Sequence, residues 1–369
     1  MNEKEITRPP LESLACINET CELYGQTGQG NLTIRKRYGQ DQIRYLRCRS
    51  CGKEFSERKN TALWNCKIKE SRAIAVAEHL AEGCSIKGTA RLVKVDPSTV
   101  RRLNDCLGQH GQRFHHDKVH HLEIDTLQAD ERHGFAGHKG NPAWEAELIE
   151  PQSKFVVSHV QGRRDEALIR NLLQEGATRL VNRHDLVLFS DGEASYASLF
   201  PQVLGQAYQP ARRTPCGRPP KQRYRIPRSL AHVQVVKHRY GQRLKSVEIR
   251  YSHGSRKRVS KALNKLGYKV PNTSAIERRN GTARLMSSFQ VRKTLAFARQ
   301  DETKLALGWW ALTVYTWGRP HRSLRRLLPQ PQGKKKYQPC SPAMALGLTI
   351  HILSVAEILL SPVYPLTGL

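Results

Sequence analysis

The chain has 369 residues, of which 38% are apolar, so it is long enough for about two domains and can bury a sizeable core. These values exclude a chain that is disordered throughout. Lysine and arginine total 61 against 32 aspartates and glutamates, which gives a formal net charge of +29. A positive field of this size suits a long polyanion, so nucleic acid is the leading partner, ahead of an anionic membrane or no partner at all.

The opening segment, MNEKEITRPPLESLA, lacks the apolar core of a secretory signal. No stretch reaches the roughly 18 apolar residues of a membrane helix. The most apolar one, TIHILSVAEILLSPVYPL, is interrupted by Glu357 and two prolines. The sequence therefore predicts a cytoplasmic protein without a membrane partner, and this last segment is expected to form a terminal helix that packs on a domain.

Four of the nine cysteines form two closely spaced pairs, Cys16-x4-Cys21 and Cys48-x2-Cys51. The second pair lies in RYLRCRSCGKEFSE, where a strand-like run enters a tight turn closed by Gly52. This spacing is typical of a zinc ribbon, so we predict that the four thiolates hold one structural zinc ion; four ordinary reduced cysteines are the alternative. The other five cysteines lack such pairing and are expected to be ordinary buried or surface residues: Cys66, Cys84, Cys106, Cys216 and Cys340.

Residues 66–115 carry the pattern of three short helices. SRAIAVAEHLAEG has helical periodicity and ends at Gly83, and SIKGTARLVKVD gives a second helix. Asp96 and Pro97 are then typical of the N-cap and first position of a third helix, PSTVRRLNDCLGQHG. This layout favours a helix-turn-helix, and an ordinary three-helix bundle is the alternative. The residues expected to contact DNA here are Ser98, Thr99, Arg101 and Arg102.

The pattern changes to short strands after residue 118. HHLEIDTLQAD is strand-like, WEAELIE and KFVVSHVQG favour a hairpin, DEALIRNLLQEG is helical, and DLVLFS indicates a buried strand that ends at Asp191. Three strands, a helix and a fourth strand are the order of a ribonuclease H-like domain. Many other α/β domains begin in the same order, so the order alone is weak.

Three sequence blocks make the interpretation more specific. LQADERHGFAGHK with Trp144 after it, FSDGEASY, and NTSAIERRNGTAR follow one another along the chain. They resemble the D-E-x-x-G-Φ-x-G, T-D-G-x-x-x-Y and I-E-R-x-N-x-x-x-R blocks of bacterial transposases of the insertion sequence one (IS-one) family and its close relatives. That family also carries a zinc ribbon and a helix-turn-helix before its catalytic domain, so the resemblance extends from residue 16 to about residue 345. His133 departs from the pattern, because it stands where the first block usually has an aromatic residue.

The resemblance implies a multi-domain α/β protein whose ribonuclease H-like domain has a mixed sheet and an Asp/Asp/Glu (DDE) triad. Carried over by position, the triad is Asp130, Asp191 and Glu277, which would bind two Mg²⁺ or Mn²⁺ ions for cleavage and strand transfer of DNA. Asp125 competes with Asp130, but residues five apart in a strand face opposite sides, so only one can line the site. The Asp-Glu-x-x-Gly-Phe context and the interval to Trp144 select Asp130. Without catalysis, Asp191 would be a helix N-cap and Glu277 a solvated helix acid.

The implied organisation has four parts: a zinc ribbon over 10–62, a helix-turn-helix domain over 66–115, a catalytic domain over 118–300 with a basic insertion at about 205–270, and a C-terminal helical region over 301–369. Within the insertion, GRPPK resembles a minor-groove hook, although a basic loop against the phosphates is the preferred interpretation. The further residues expected to contact DNA are Arg218, Lys221, Arg278, Asn280 and Arg284.

The main functional hypothesis is therefore a bacterial, nucleoid-associated transposase that binds element ends and target DNA as a homodimer or a higher homo-oligomer. One alternative is a domesticated, non-catalytic zinc-ribbon and helix-turn-helix regulator. Another is a ribonuclease H-like nuclease without strand transfer. All three acids are present in the chain, which favours an enzyme over a regulator, and the modules before residue 118 favour a transposase over a simple nuclease.

Overall fold

The structure is a computed structural model that describes residues 8–211, 218–241, 243–332 and 335–364. Cys216 and part of the expected basic insertion lie outside these residues. The chain divides into two compact units, of which the first is drawn from Met1–Lys118 and Ala283–Leu369, and the second is Val119–Thr282. The two ends of the chain thus belong to the same unit, although the sequence predicted a separate C-terminal region.

The first unit begins with a three-stranded antiparallel sheet in the order β1 (Leu32–Tyr38), β2 (Ile43–Cys48) and β3 (Glu54–Ser56). Its core is small, because most residues of β1 after Thr33 are exposed. Buried Leu46 and Phe55 pack there beside three of the paired cysteines. A core of this size gives little stability by itself, so a metal that cross-links the four cysteines would contribute a large share of it.

Three helices follow: α1 (Glu70–Ala81), α2 (Ile86–Val93) and α3 (Pro97–Lys118). Gly83 ends α1 with φ of +80°, and a Cβ at this position would lie 2.2 Å from the carbonyl oxygen of Leu285, so only glycine fits there. Ser85 caps α2 by accepting from the N–H of Gly88 at 3.1 Å. Asp96 accepts from the N–H of Ser98 at 2.8 Å, as expected for the N-terminus of α3.

The C-terminal segment of the chain packs on α3. Helix α8 (Asp301–Thr313) continues into a π-helical turn, Val314–Gly318. The two helices are in backbone contact, because a Cβ added at Gly108 would lie 2.2 Å from the Cα of Ala306. The remaining elements of this unit are 3-10 turns at Leu11–Ser13 and Arg322–Leu324, the hairpin β12 (Arg326–Gln332) and β13 (Lys335–Gln338), α9 (Pro342–Ala345) and α10 (Val355–Leu360).

The second unit contains a six-stranded mixed sheet, in agreement with the mixed α/β class predicted from the sequence. The strand order is β11-β10-β7-β4-β5-β6, with β4, β7 and β10 parallel and the other pairs antiparallel. The strands are β4 (Thr126–Arg132), β5 (Trp144–Ile149), β6 (Val156–Gly162), β7 (Val187–Ser190), β10 (Ala231–Tyr240) and β11 (Arg243–His253). A separate two-stranded sheet pairs β8 (Gln206–Tyr208) with β9 (Arg223–Arg225).

Helices cover the sheet, which is why β7 is buried along its whole length. On one face, Val187 and Phe189 pack against Val259 and Leu263. The helices are α4 (Glu166–Thr178), α5 (Ala194–Leu204), α6 (Arg256–Leu266) and α7 (Ser274–Met286), the last of which continues into the first unit. Across the described residues, none of the helices is both long and apolar enough to span a membrane.

Candidate acid site and cysteine cluster

The four paired cysteines come together beside the small sheet. Their sulfur atoms lie within 4.8 Å of one another, with 3.6 Å between Cys16 and Cys51 and 4.0 Å between Cys21 and Cys48. A tetrahedral zinc site with bonds of about 2.3 Å separates its sulfurs by about 3.8 Å. The cluster therefore has the dimensions of a structural zinc site and could hold that ion.

Backbone and amide N–H groups favour the thiolates of Cys48 and Cys51, whereas burial raises the pKa of Cys16, and the pKa of Cys21 is raised as well. The N–H of Lys53 lowers the pKa of Cys51 to about 6. Burial opposes ionisation of Cys48, yet N–H groups from Cys51 and the neighbouring turn lower its pKa overall. Asn31 also donates to the Cys48 sulfur at 3.2 Å. Such N–H donors stabilise metal-bound thiolates, so the surroundings of Cys48 and Cys51 fit the ion, as the distances among all four sulfurs do.

Asp130 lies on β4, and Asp191 directly follows β7, the neighbouring parallel strand. The register pairs Thr126 with Val187 and Gln128 with Phe189, so its continuation brings Asp130 level with Asp191 just beyond the end of β7. The side chain of Gln128, on the same face of β4 as Asp130, accepts from the N–H groups at the start of α7 at 3.0 Å. The amino end of α7 is thereby fixed over this face of the sheet.

Glu277 lies in the first turn of α7. Its carboxylate accepts from the hydroxyl of Thr273 at 2.5 Å and from the ammonium group of Lys237 on β10. One turn further along α7, the amide of Asn280 donates to Asp130 Oδ2 at 2.8 Å. The helix therefore supplies one acid to the site and holds a second in position.

The pKa values of the two aspartates depend on burial and on the neighbouring acids. Burial and then the charge of Asp191 raise the pKa of Asp130 to about 6, and Glu277 adds to this effect. Burial raises the pKa of Asp191 as well, with a smaller contribution from Glu277. In the described part of the chain, the cysteines are the one group of three or more metal-binding side chains within 4.8 Å, so the three acids are spread more widely than the cysteine sulfurs.

A fourth acid, Glu131, adjoins the triad and was not predicted. Burial raises its pKa to about 7 even though the hydroxyl of Tyr196 donates to it at 2.5 Å. Arg164 pairs with Glu131 at 3.4 Å and with Glu193 at 3.3 Å, and stacks 4.8 Å over the ring of Trp144. The sequence blocks do contain Glu131, Trp144 and Tyr196, so their position in those blocks was the available signal.

A buried ion network lies next to Asp130 on β4, β5 and α7. Arg132 donates to Glu145 and Glu147 at 2.7 Å each and to the Asn280 oxygen at 2.9 Å. Glu147 also pairs with Arg279 of α7 at 3.1 Å. Because these charges are almost fully buried, each depends on its partners, and the network connects α7 firmly to β4 and β5.

Asp125, the competing candidate, precedes β4 and pairs with Lys265 of α6 at 2.9 Å. Partial burial raises the pKa of Asp125, but Lys265 outweighs this effect, and the pKa is lowered overall. Asp191 does not cap α5, because Glu193 occupies the N-cap position and accepts from the N–H of Ser195. The structure thus groups Asp130, and not Asp125, with Asp191.

The residues predicted to contact DNA have different surroundings. Ser98, Arg101 and Arg102 are exposed on the first turns of α3, where Thr99 is half-buried. Asn280 is 4% exposed and its amide is engaged with Asp130 and Arg132, so we interpret it as a positioning residue in place of a DNA contact. The others are Arg218, Lys221 and Arg278, all exposed, and Arg284, which is half-buried in the first unit.

The chain matches none of the models of known protein families with which it was compared, and none of the curated proteins.

Proposed function

We propose that this chain is a DNA transposase whose ribonuclease H-like second unit cleaves and joins DNA through Asp130, Asp191 and Glu277. The observation that carries the proposal is the parallel register of β4 and β7, which brings Asp130 level with Asp191. Three strands, a helix and a parallel fourth strand precede this point, as in ribonuclease H-like domains. The resemblance in the three sequence blocks supports the same assignment.

The donor set suits hard divalent cations, because it consists of carboxylates, and burial together with neighbouring acids raises the pKa of Asp130 and that of Asp191. Mg²⁺ or Mn²⁺ ions held by the triad would neutralise charge on the attacking and leaving oxygens of a phosphoryl transfer. Glu277 fits this role once its carboxylate leaves Lys237. Asn280 keeps Asp130 oriented through the 2.8 Å hydrogen bond.

The first unit supports DNA binding in this proposal. The exposed arginines of α3 follow a capped helix and a tight turn, which is the layout of a helix-turn-helix. The cysteine cluster would hold a zinc ribbon before it. The net charge of +29 would retain the polyanion over a group of acids that otherwise repels it.

Purified chain incubated with labelled element ends and Mg²⁺ tests the proposal. We expect nicked and joined products from the wild type, and a loss on the order of a thousandfold or more in D130N, D191N and E277Q. D125N is the matched control, because Asp125 is also a strand-proximal aspartate with a charged partner, and it should keep near-normal rates. Full activity in all three triad variants would refute the enzyme assignment.

A further inference from the structure

Strands β10 and β11 extend beyond the rest of the sheet. β10 pairs with β7 only from Ala231 to Gln234, but it pairs with β11 as far as Tyr240. Residues 235–240 and 243–249 therefore form a two-stranded segment, which we call the β-ribbon. All six residues of β11 before Ile249 are exposed, so this half of the strand contributes nothing to the core.

The β-ribbon is strongly basic. Its single acid, Glu248, is engaged by His238 at 3.0 Å and by Arg250 at 2.7 Å. The basic residues on and next to the ribbon are Lys237, Arg239, Arg243, Lys245 and Arg250. An edge strand that carries so much positive charge is protected from pairing with another strand, and it attracts a polyanion.

Apolar side chains lie between the charges. Tyr240 is 84% exposed, Leu244 53% and Val247 45%. Together with the arginines and lysines around them, these side chains form a surface that suits a partner that is both anionic and partly apolar. Double-stranded DNA has both properties, because phosphates flank a major groove that displays base edges and thymine methyl groups.

The base of the β-ribbon adjoins the acid site. Lys237 donates to the carboxylate of Glu277. Three residues earlier, Gln234 donates to the carbonyl of Glu193 at 2.9 Å, and Val236 packs against Gly192. A polyanion bound along the ribbon would therefore continue directly to Asp191 and Glu277.

We propose that the β-ribbon binds double-stranded DNA and leads it to the acid site. A two-stranded antiparallel ribbon fits the major groove, which is about 12 Å wide. This inference rests on the proposed function, since it assigns a DNA contact to the same site. It gives the basic insertion a defined element, whereas the sequence pointed to Arg218 and Lys221 in the preceding loop.

The test measures binding of the full chain to a labelled duplex, in buffer without added Mg²⁺ or Mn²⁺, across a series of salt concentrations. Arg243 and Lys245 are exposed and far from the core, so R243Q/K245Q should fold normally. We expect its affinity to fall about tenfold, and the slope of log K against log salt to decrease by about 1.8, that is, by two phosphate contacts. E248Q, on the same ribbon, should bind as tightly as the wild type or more tightly.

The matched control is R183Q/K265Q. It also removes two exposed positive charges, but Arg183 precedes β7 and Lys265 pairs with Asp125 before β4, at the end of the sheet opposite to Asp191. Its slope should stay at the wild-type value. An equal decrease in both variants, or no decrease in R243Q/K245Q, would overturn the inference.

Two further results separate DNA binding by the β-ribbon from dimer formation and from the transposase proposal. If sedimentation shows that R243Q/K245Q dissociates a DNA-free dimer while its salt slope is unchanged, the ribbon binds a second copy and the inference is overturned. Because binding is measured without catalytic metal, it is independent of cleavage. A reduced slope in R243Q/K245Q, together with no cleavage of DNA by the wild type in Mg²⁺, would support the ribbon and refute the transposase. Normal cleavage with an unchanged slope would refute the ribbon alone.

Discussion

Asn280 joins two parts of the acid site through one amide group. Its nitrogen donates to Asp130, and its oxygen accepts from Arg132, which is itself held by Glu147. An orientation fixed at both ends keeps the Asp130 carboxylate from rotating, and it couples that carboxylate to the helix that carries Glu277. Asn280 therefore acts through Asp130, and its burial explains why the pattern I-E-R-x-N alone did not reveal this role.

Lys237 competes with cations for Glu277, because its ammonium group donates a hydrogen bond to the Glu277 carboxylate. We expect K237Q to bind Mn²⁺ about fivefold more tightly than the wild type, since one positive charge near the site is removed. The unfolding free energy should change by less than about 1 kcal/mol, because both side chains are partly exposed. Calorimetric titration of metal into the full chain measures the affinity without any catalysis.

K265Q is the matched control for this experiment. Lys265 also pairs with an aspartate, Asp125, at a partly exposed position, but Asp125 is not an acid of the triad. Its loss should leave Mn²⁺ affinity unchanged. A weaker affinity in K237Q would mean that Lys237 helps to build the metal site and does not compete with it.

The acids of the site could be predicted from the sequence, but their partners could not. Asp130 and Asp191 stand in short blocks with recognisable neighbours, and strand periodicity separates Asp130 from Asp125. Arg132, Glu147 and Arg279 look like ordinary surface charges in the sequence, because burial of a charge depends on residues far away in the chain. Only the packing of α7 on β4 makes them a network.

At the scale of elements, we expect the small sheet beside the four paired cysteines to depend on a metal cross-link more than on its core. We expect one zinc ion per wild-type chain, and loss of that ion together with the fold of residues 10–62 in C48S, because apparent zinc binding in such modules is worth about 10–16 kcal/mol. Elemental analysis and limited proteolysis measure the two effects. C84S is the control, since Cys84 lies outside the cluster.

This prediction fails in either of two ways. Freshly purified wild type without stoichiometric zinc would show that the four thiols remain reduced and unligated. Protease resistance of residues 10–62 in C48S, equal to that of the wild type, would show that the core around Leu46 and Phe55 suffices without the ion.

Elements with a clear period and clear caps were predictable, whereas those that depend on distant partners were not. The hairpin of β5 and β6, the strand DLVLFS and the start of α3 at Pro97 all follow local rules. The terminal apolar stretch forms a helix, but that helix is shorter than the stretch and covers only Val355–Leu360. The helix begins after the Ser354 capping box, and Pro362 follows it after Ser361. The β-ribbon was not predicted, since its alternating charges have no buried face to mark a strand.

At the scale of the whole molecule, buried ionisable groups make stability depend on pH in two directions. Burial lowers the pKa of His110 to about 4 and that of His232 to about 3, so both favour the fold above pH 6.5 and lose this contribution as the pH falls. Asp130 and Glu131 act in the opposite sense, because their raised pKa values favour the fold at low pH. Their contribution is lost as the pH rises through about 6 and about 7.

The last prediction isolates the acids from the histidines by comparing variants at each pH. D130N removes the buried carboxylate but keeps its shape, so without divalent metal its stability relative to the wild type should increase from pH 5 to pH 8. The increase between these two pH values should be on the order of 1–1.5 kcal/mol, since the pKa of Asp130 is raised to about 6 and part of the effect is already present at pH 5. D125N should show no such trend, because the lowered pKa of Asp125 places its titration below this range. Added Mg²⁺ should stabilise the wild type more at pH 8 than at pH 5 and should leave D130N nearly unchanged. Denaturant titrations at both pH values measure all four quantities, and a flat difference between D130N and the wild type would show that Asp130 carries no buried, uncompensated charge for a cation to neutralise.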